Sequence, residues 1–384
     1  MAFTHRNQII YFISAVLIIY LSTNLYLFYK GFKALNGTGY RNLYTIVFLV
    51  LAMAFIAGRI IENNHSGLTA DILNITGGFW LAFMLYATLL WLAFDIFLLI
   101  NRLTPIVSPE YVQQMKLIAF IGITSFVALL ITGGFFNAVR PVSKHYDITI
   151  DRHIDNDSLR IVAVSDIHLG SIIRKRSMRH LSSMIEAEHP DVVFLLGDVV
   201  DGSIGPVLRG DLLSYLKLHD IPMGVYAITG NHEFIGNINK TLPYIESKGI
   251  RVLKDEIISL PNGVQVAGRY DRSSYSGLGR ARMSLGQLLS QADKTRPLIV
   301  LDHQPDEVDD LPHHGVDLQL SGHTHNGQMW PLTAITNAMY HPGYGYRKIS
   351  SSNVIVSSGF GIWGPRVRIG TKPEIVVIDL KSSL

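Results

Sequence analysis

Four long apolar runs fill the first 140 residues, and they constrain this chain more than any other feature of the sequence. Ile9–Tyr29 runs for 21 residues without a charge, and Leu117–Phe136 for 20. Gly77–Ile100 covers 24 residues and is interrupted only by Asp95. Leu43–Ala57 is shorter, but it reaches Ile61 if the Arg59 side chain stretches toward the headgroups. About 20 apolar residues in a helix span the hydrocarbon core of a bilayer. A four-helix transmembrane region is therefore expected over residues 1–140, with spans near 9–29, 43–61, 77–100 and 117–136. A cleaved leader explains the first run less well, because that run is too long and three similar ones follow.

Composition agrees. Only 16% of the 384 residues are charged, where soluble domains carry about 25%. There is no cysteine, which excludes disulfide frameworks, thiolate metal sites and cysteine nucleophiles together. Residues 1–144 hold 9 Lys/Arg and 4 Asp/Glu, an excess of +5; the remainder holds 33 − 9 = 24 and 30 − 4 = 26, an excess of −2. That second part lacks the bulk positive charge that nucleic acids attract, so no nucleic-acid partner is expected.

Four crossings put both ends of the chain on one side of the membrane. That side carries Arg6, Arg59, Arg140 and Lys144, and the other carries Lys30, Lys33, Arg41, Arg102 and Lys116. Four against five leans, by one charge, toward an extracytoplasmic second half. Asp95 lies five residues from the end of its run, roughly 7.5 Å along a helix. It reads as an acid near the interface; the alternative is a functional intramembrane acid.

Beyond residue 150 the pattern changes to short β-branched runs between amphipathic stretches. Strands are expected at Ile161–Val164, Val192–Leu196, Val225–Ile228, Leu298–Leu301, Leu318–Leu320, Val354–Val356 and Ile375–Ile378. Ile257–Leu260 and Val264–Ala267 flank Pro261-Asn262-Gly263 and read as a hairpin. Helices are expected at Arg174–Glu188, Val207–Leu218 and Ile238–Lys248. The reading is an α/β domain over 158–384, joined to the spans by a polar connector over 141–157.

Five of these strands end in groups that bind metals. They are followed in turn by Ser165-Asp166-Ile167-His168, Gly197-Asp198-Val199-Val200-Asp201, Gly230-Asn231-His232-Glu233, Asp302-His303 and Gly322-His323-Thr324-His325. Ligand sites in α/β sheets gather beyond the carboxyl ends of strands. Carboxylate, imidazole and amide oxygen suit Mn, Fe or Zn. Asp198, alone on its strand, could bridge two ions, and two ions about 3.5–4 Å apart stabilise an in-line phosphoryl displacement.

In that order, D-x-H, G-D-x-x-D, G-N-H-E, a strand-borne His and G-H-x-H resemble the calcineurin-like metallophosphoesterase superfamily. The resemblance implies a sandwich of two mixed β-sheets with helices outside. It implies two divalent metal ions: Asp166, His168 and His325 hold the first, Asn231, His303 and His323 the second, and Asp198 bridges both. It makes His232 a non-ligand that touches the phosphate and protonates the leaving group, oriented by Asp201. The nucleophile would be metal-bound hydroxide. Gly322–Gln328, Ser357–Gly361, Pro365–Arg368 and Pro373-Glu374 are similar to a membrane-anchored bacterial branch associated with exported or lipid-directed phosphoesterases, including hydrolases of diacylglucosamine nucleotides. Asn326 stands where that pattern more often has glycine.

The expectation is an integral-membrane, metal-dependent phosphoesterase of the bacterial cytoplasmic membrane, acting on a phosphoester or pyrophosphate that is lipid-linked or soluble. Its alternative is a membrane sensor whose phosphoesterase domain only binds a ligand. A transporter would want more polar residues inside the spans than Asp95 alone. Arg366 and Arg368 are candidate substrate ligands, since guanidinium forks suit phosphate. Glu233 and Asp302 flank ligand positions and are expected to support them. Gly277–Gly286, with Arg280 and Arg282, reads as a mobile loop.

Overall fold

The structure is a computed structural model that describes residues 2–383 apart from Ser66, excluding the side chains of residues 2–10, Phe12, Ile13 and Asn63. The side chain of Arg6, counted above, lies outside the described residues. By internal contacts the chain forms two units, one of residues 1–61 and 68–133, the other of 62–67 and 134–384.

The first unit is built from α1 (Ala2–Ala34), α2 (Arg41–Asn64), α3 (Leu68–Leu103) and most of α4 (Val112–Ala138). All four are long and apolar enough to cross a membrane. They outrun their apolar cores because polar flanks continue the helix; α3 takes in Asp71 and Asn74 before its apolar run begins. Close approach of α2 and α3 depends on Gly77, where a Cβ would fall 2.3 Å from the Phe55 Cα. Small residues are how helices pack where lipid removes the hydrophobic drive. Several polar groups within the spans are paired internally, which a bilayer favours. Asn24 Nδ2 donates to the Tyr20 carbonyl at 2.8 Å and Asn24 Oδ1 accepts from Trp80 Nε1 at 3.0 Å. Asp95 is ion-paired with Lys30 and accepts from the Tyr26 hydroxyl at 2.7 Å.

The second unit carries β1 (Val142–Ile150), β2 (Ser158–Val164), β3 (Val192–Leu196), β4 (Val225–Ile228), β5 (Arg251–Val252), β6 (Glu256–Ser259), β7 (Gln265–Gly268), β8 (Leu298–Leu301), β9 (Leu318–Ser321), β10 (Gly345–Ile349), β11 (Ser352–Val356) and β12 (Glu374–Ser382). One sheet runs β1-β12-β2-β3-β4-β5 and the other β10-β11-β9-β8-β7-β6. Both are mixed: β2, β3 and β4 are parallel, as are β7, β8 and β9, while β12 and β10 pair antiparallel with β2 and β11.

Strand alternation sorts the core into layers. Ile161, Ala163, Phe194 and Leu196 of the first sheet meet Val266, Ile299, Leu301 and Leu320 of the second between the sheets. The intervening Val162, Val164, Val193 and Leu195 face outward onto Met178, Leu181 and Ile185 of α5 (Lys175–Glu188). Ala267, Leu298 and Val300 pack outward against Leu285, Leu288 and Leu289.

Two expectations need correction. The stretch 141–157 is no mere connector: Val142–Ile150 is an edge strand, parallel to β12 along its whole length. Ser143, His145, Asp147 and Thr149 share one face, and on the other only Ile148 and Ile150 are buried while Lys144 is exposed, a pattern that reads as polar linker. The helix expected over Val207–Leu218 is broken after Gly210, where Asp211 turns left-handed at φ 41°.

Candidate metal centre

The expected ligand residues come together because their strands are neighbours. Asp166 and His168 follow β2, Asp198 follows β3 and Asn231 follows β4, three adjacent parallel strands of one sheet. His303 follows β8, and His323 and His325 follow β9, adjacent parallel strands of the other. The carboxyl ends of both sheets thus open onto one place.

The backbone there is strained. Asp166, His168, Asp198, His323 and His325 have φ of 53°, 51°, 50°, 68° and 48°. That is five of the seven candidate ligands in a conformation that few non-glycine residues adopt. Such strain persists where the surroundings over-determine it and the site uses it. Asn326 is also left-handed, at φ 49°, a conformation glycine and asparagine both accept. Two glycines allow the crowding. A Cβ on Gly197 would lie 2.6 Å from the Gly230 amide, and one on Gly230 would lie 2.1 Å from Asp198 Oδ1.

His168 Nε2 lies 3.0 Å from His325 Nε2, 3.9 Å from Asp166 Oδ1 and 3.8 Å from Asp198 Oδ2, and His325 Nε2 lies 3.5 Å from Asp166 Oδ1. Donors each about 2.0–2.2 Å from a shared ion stand roughly 3–4 Å apart, the spacing found here. A second set adjoins it. Asp198 Oδ2 is 3.2 Å from His303 Nε2, and Asn231 Oδ1 is 3.1 Å from His323 Nδ1. Asp198 Oδ2 belongs to both.

One buried atom tests whether a cation fits. His303 Nδ1 faces the Leu196 carbonyl at 2.7 Å and donates to it, which leaves Nε2 of the neutral ring with a lone pair. That Nε2 is buried without a hydrogen-bond partner and faces the Asp198 carboxylate. Two lone pairs facing each other across 3.2 Å call for a positive charge between them. A proton supplies it in the bare chain: burial lowers the pKa of His303, but Asp198 and Asp166 raise it well above the usual histidine value. A divalent ion supplies it equally, and the donor set fits one.

The sequence comparisons agree with this geometry. The profile of the Calcineurin-like phosphoesterase family matches residues 159–327. An uncharacterized metallophosphoesterase of Helicobacter pylori is 30% identical over 275 residues, covering 70% of this chain and 72% of that protein. This chain belongs to the calcineurin-like metallophosphoesterase family. Its relatives include an uncharacterized metallophosphoesterase of Aquifex aeolicus, 30% identical over 62% of this chain and 91% of its own. Along the whole chain, it is 27% identical to a transmembrane protein with metallophosphoesterase domain from Danio rerio, covering 91% of that protein. The likeness therefore spans bacteria and animals, and the four spans make this chain an integral-membrane metallophosphoesterase.

Beside the metal-ligand groups, Asp201 Oδ1 sits 3.2 Å from His168 Nδ1 and 3.3 Å from His232 Nδ1, so one carboxylate faces both rings. Burial would lower the pKa of His232, but Asp198, Asp201 and Glu233 push it up to about 9. His232 also lies within the compass of His168 and Asp198, close enough for the three to form a metal-binding group of their own. Glu233 is buried and accepts from the amides of Gly230, Asp198 and Val200 at 2.7, 3.0 and 3.1 Å. Burial and the Asp198 charge raise its pKa to about 7.

The two arginines expected at the substrate differ. Arg368 is only 1% exposed, and its two terminal nitrogens donate to the carbonyls of Ser358, Gly359, Gly361, His325 and Lys372. It clamps the loop behind His325 rather than facing a substrate. Arg366 is half-buried, donates to Ser177 Oγ at 3.2 Å and lies over the Phe135 ring at 5.8 Å. Sequence reasoning missed Arg269, which is buried and paired with Asp302 at 2.7 Å. Within the stretch 277–286, Arg282 reaches the same carboxylate at 2.9 Å. The paired arginines keep a carboxylate fixed immediately before His303. No local sequence signal marked Arg269, because Asp302 lies 33 residues further along the chain while Asp271 stands beside it in sequence.

Proposed function

We propose that the protein hydrolyses a phosphoester or pyrophosphate bond of a lipid-linked substrate at two divalent metal ions, on the extracytoplasmic side of a bacterial cytoplasmic membrane. The reaction rests on one observation, the Asp198 carboxylate shared between two sets of nitrogen and oxygen donors. Bound there, divalent ions would lower the pKa of water and neutralise phosphoryl oxygens. Asp166, His168 and His325 would hold one, and Asn231, His303 and His323 the other. His232 would give its proton to the leaving oxygen, and Asp201 would hold the ring in place. With every ligand position filled, the sensor alternative gains no support.

The lipid preference rests on the helix Leu332–Met339, which has no buried residue. Ile335 and Met339 are 56% and 68% exposed, and Trp330 and Trp363 are 59% and 58% exposed. The end of α4 touches the segment beside them: Asn137 Nδ2 donates to the carbonyls of Arg368 and Thr371, and the Trp330 amide donates to Ile369. The Tyr340 ring, just past the helix, is 6.1 Å from that of His323. Exposed aromatics and aliphatics continuous with the end of a span suit the bilayer interface. A comparison of phosphoesters with one headgroup and acyl chains of increasing length tests this. Rising kcat/KM with chain length, lost in Ile335→Asp/Met339→Asp, supports it; equal rates at all lengths refute the lipid preference and leave the reaction class standing.

A further inference from the structure

Far along the sequence from the candidate metal ligands, α1, α3 and the start of α4 line a partly open cavity of about 460 Å³. Lys30, Lys33, Arg102 and Lys116 line it, with Asp95 as its only acid. The charge of Asp95 is spent on Lys30, to which it is ion-paired, with the Tyr26 hydroxyl as a further donor at 2.7 Å. Among the described residues no carboxylate lies within ion-pair distance of Lys33, Arg102 or Lys116. Three cations therefore surround one cavity without a counter-charge.

The walls are built. Asn101 also lines the cavity, and its Oδ1 accepts from the amides of Ile106 and Val107 at 2.9 and 2.7 Å, fixing the turn into α4. Gln113 Nε2 donates to the Lys33 carbonyl at 3.1 Å and ties the start of α4 to the end of α1. Trp91 and Phe94 form an apolar side, with Leu98 and the exposed Leu99 leading along α3. Asp95 and Arg102 are seven residues apart, about 10 Å along a helix, with Leu98 and Leu99 between them and Trp91 and Phe94 beyond Asp95. The size is that of a small-molecule site. A headgroup at the cations and an acyl chain along Leu98 and Leu99 would fill it. Cation placement at helix C-termini explains a preference for Lys33 and Arg102 there, but neither a cavity nor Lys116, which lies in the first turns of α4.

We propose that this cavity binds a phosphate anion, presented as the headgroup of an anionic phospholipid, through Lys33, Arg102 and Lys116. Basic pockets between spans on the side richer in Lys and Arg hold such headgroups. The site is separate from the metal centre and does not depend on the activity proposed above.

The test is thermal unfolding of the full-length protein in neutral detergent, titrated with phosphatidylglycerol, with phosphatidylcholine and with inorganic phosphate. Phosphatidylglycerol should raise the midpoint and phosphatidylcholine should not. Arg102→Gln and Lys116→Gln should each weaken the apparent affinity about fivefold, near the worth of one basic residue at an anionic surface. Arg102→Lys should stay within about twofold of the parent. If Arg102→Gln does not fold, Lys116→Gln alone decides. Inorganic phosphate giving the same stabilisation, weakened by the same variants, would mean that the anion is soluble and would leave the phosphate site standing. Equal effects of the two lipids, or full stabilisation by phosphatidylglycerol in the Gln variants, would overturn the proposal; the latter would place the lipid elsewhere, such as at the metal centre.

Discussion

The Glu233 carboxylate accepts from the Asp198 amide at 3.0 Å, and this bond holds the turn that carries the Asp198 carboxylate, the proposed bridge between two ions. Glu233→Gln puts an amide N–H against buried backbone donors. An unsatisfied buried donor costs about 1–3 kcal/mol. The variant should lose that much in chemical unfolding and bind metal ~10–100-fold more weakly, as other supports of metal ligands do. Unchanged metal affinity with lowered stability would make Glu233 a fold residue only.

His232 gives a pH signature. Its pKa stands near 9 in the bare chain. Bound cations would pull it down, because positive charge disfavours the imidazolium. A general acid is active while protonated and fails as pH rises through its pKa. The kcat profile should therefore fall on an alkaline limb no higher than about pH 9. His232→Gln should lower kcat by ~10²–10⁴-fold and abolish that limb while the metal content stays near the parent's. Loss of metal in this variant would make His232 a ligand.

Gly230 tests the crowding directly. A Cβ there would sit 2.1 Å from Asp198 Oδ1. Gly230→Ala must displace that carboxylate, and displacement of about 1 Å at reacting groups costs ~100-fold in rate. Steady-state kinetics should show a drop of this order in kcat together with lowered metal content. Parent-like kinetics would mean the turn can open without moving Asp198.

Arg368 and Arg366 separate by readout. Arg368→Met orphans several carbonyls, and the expected cost is at least ~3 kcal/mol in unfolding. Arg366→Gln should change stability by less than ~1 kcal/mol, the usual range for residues outside the core. A raised KM with unchanged stability in an Arg368 variant would restore it to the substrate.

The convergence of these residues was legible because each candidate ligand lies at the end of a short apolar run, so sequence order and spatial convergence coincide at Asp166, Asp198, Asn231, His303 and His323. The spans were legible from length alone. Helix ends such as Leu68 were not, because Asp71 and Asn74 break the apolar pattern without breaking the helix. The edge strand Val142–Ile150 was hidden by its wet face. Arg368 was misread because a sequence shows that an arginine is present but not that five carbonyls already claim it. Arg269 and Arg282 meet Asp302 only through the packing of separate segments, which no local spacing announces.

The most direct test removes and restores the metal. Full-length protein in detergent is stripped with a chelator, resupplied with Mn²⁺ and assayed on an aryl phosphate diester beside the monoester, with Asp198→Ala as control. The account predicts two ions bound per chain, turnover lost on stripping and regained with Mn²⁺, and at least ~100-fold lower activity with reduced metal in Asp198→Ala. Full turnover in the stripped protein, or an Asp198→Ala variant that keeps both metal and rate, would contradict it.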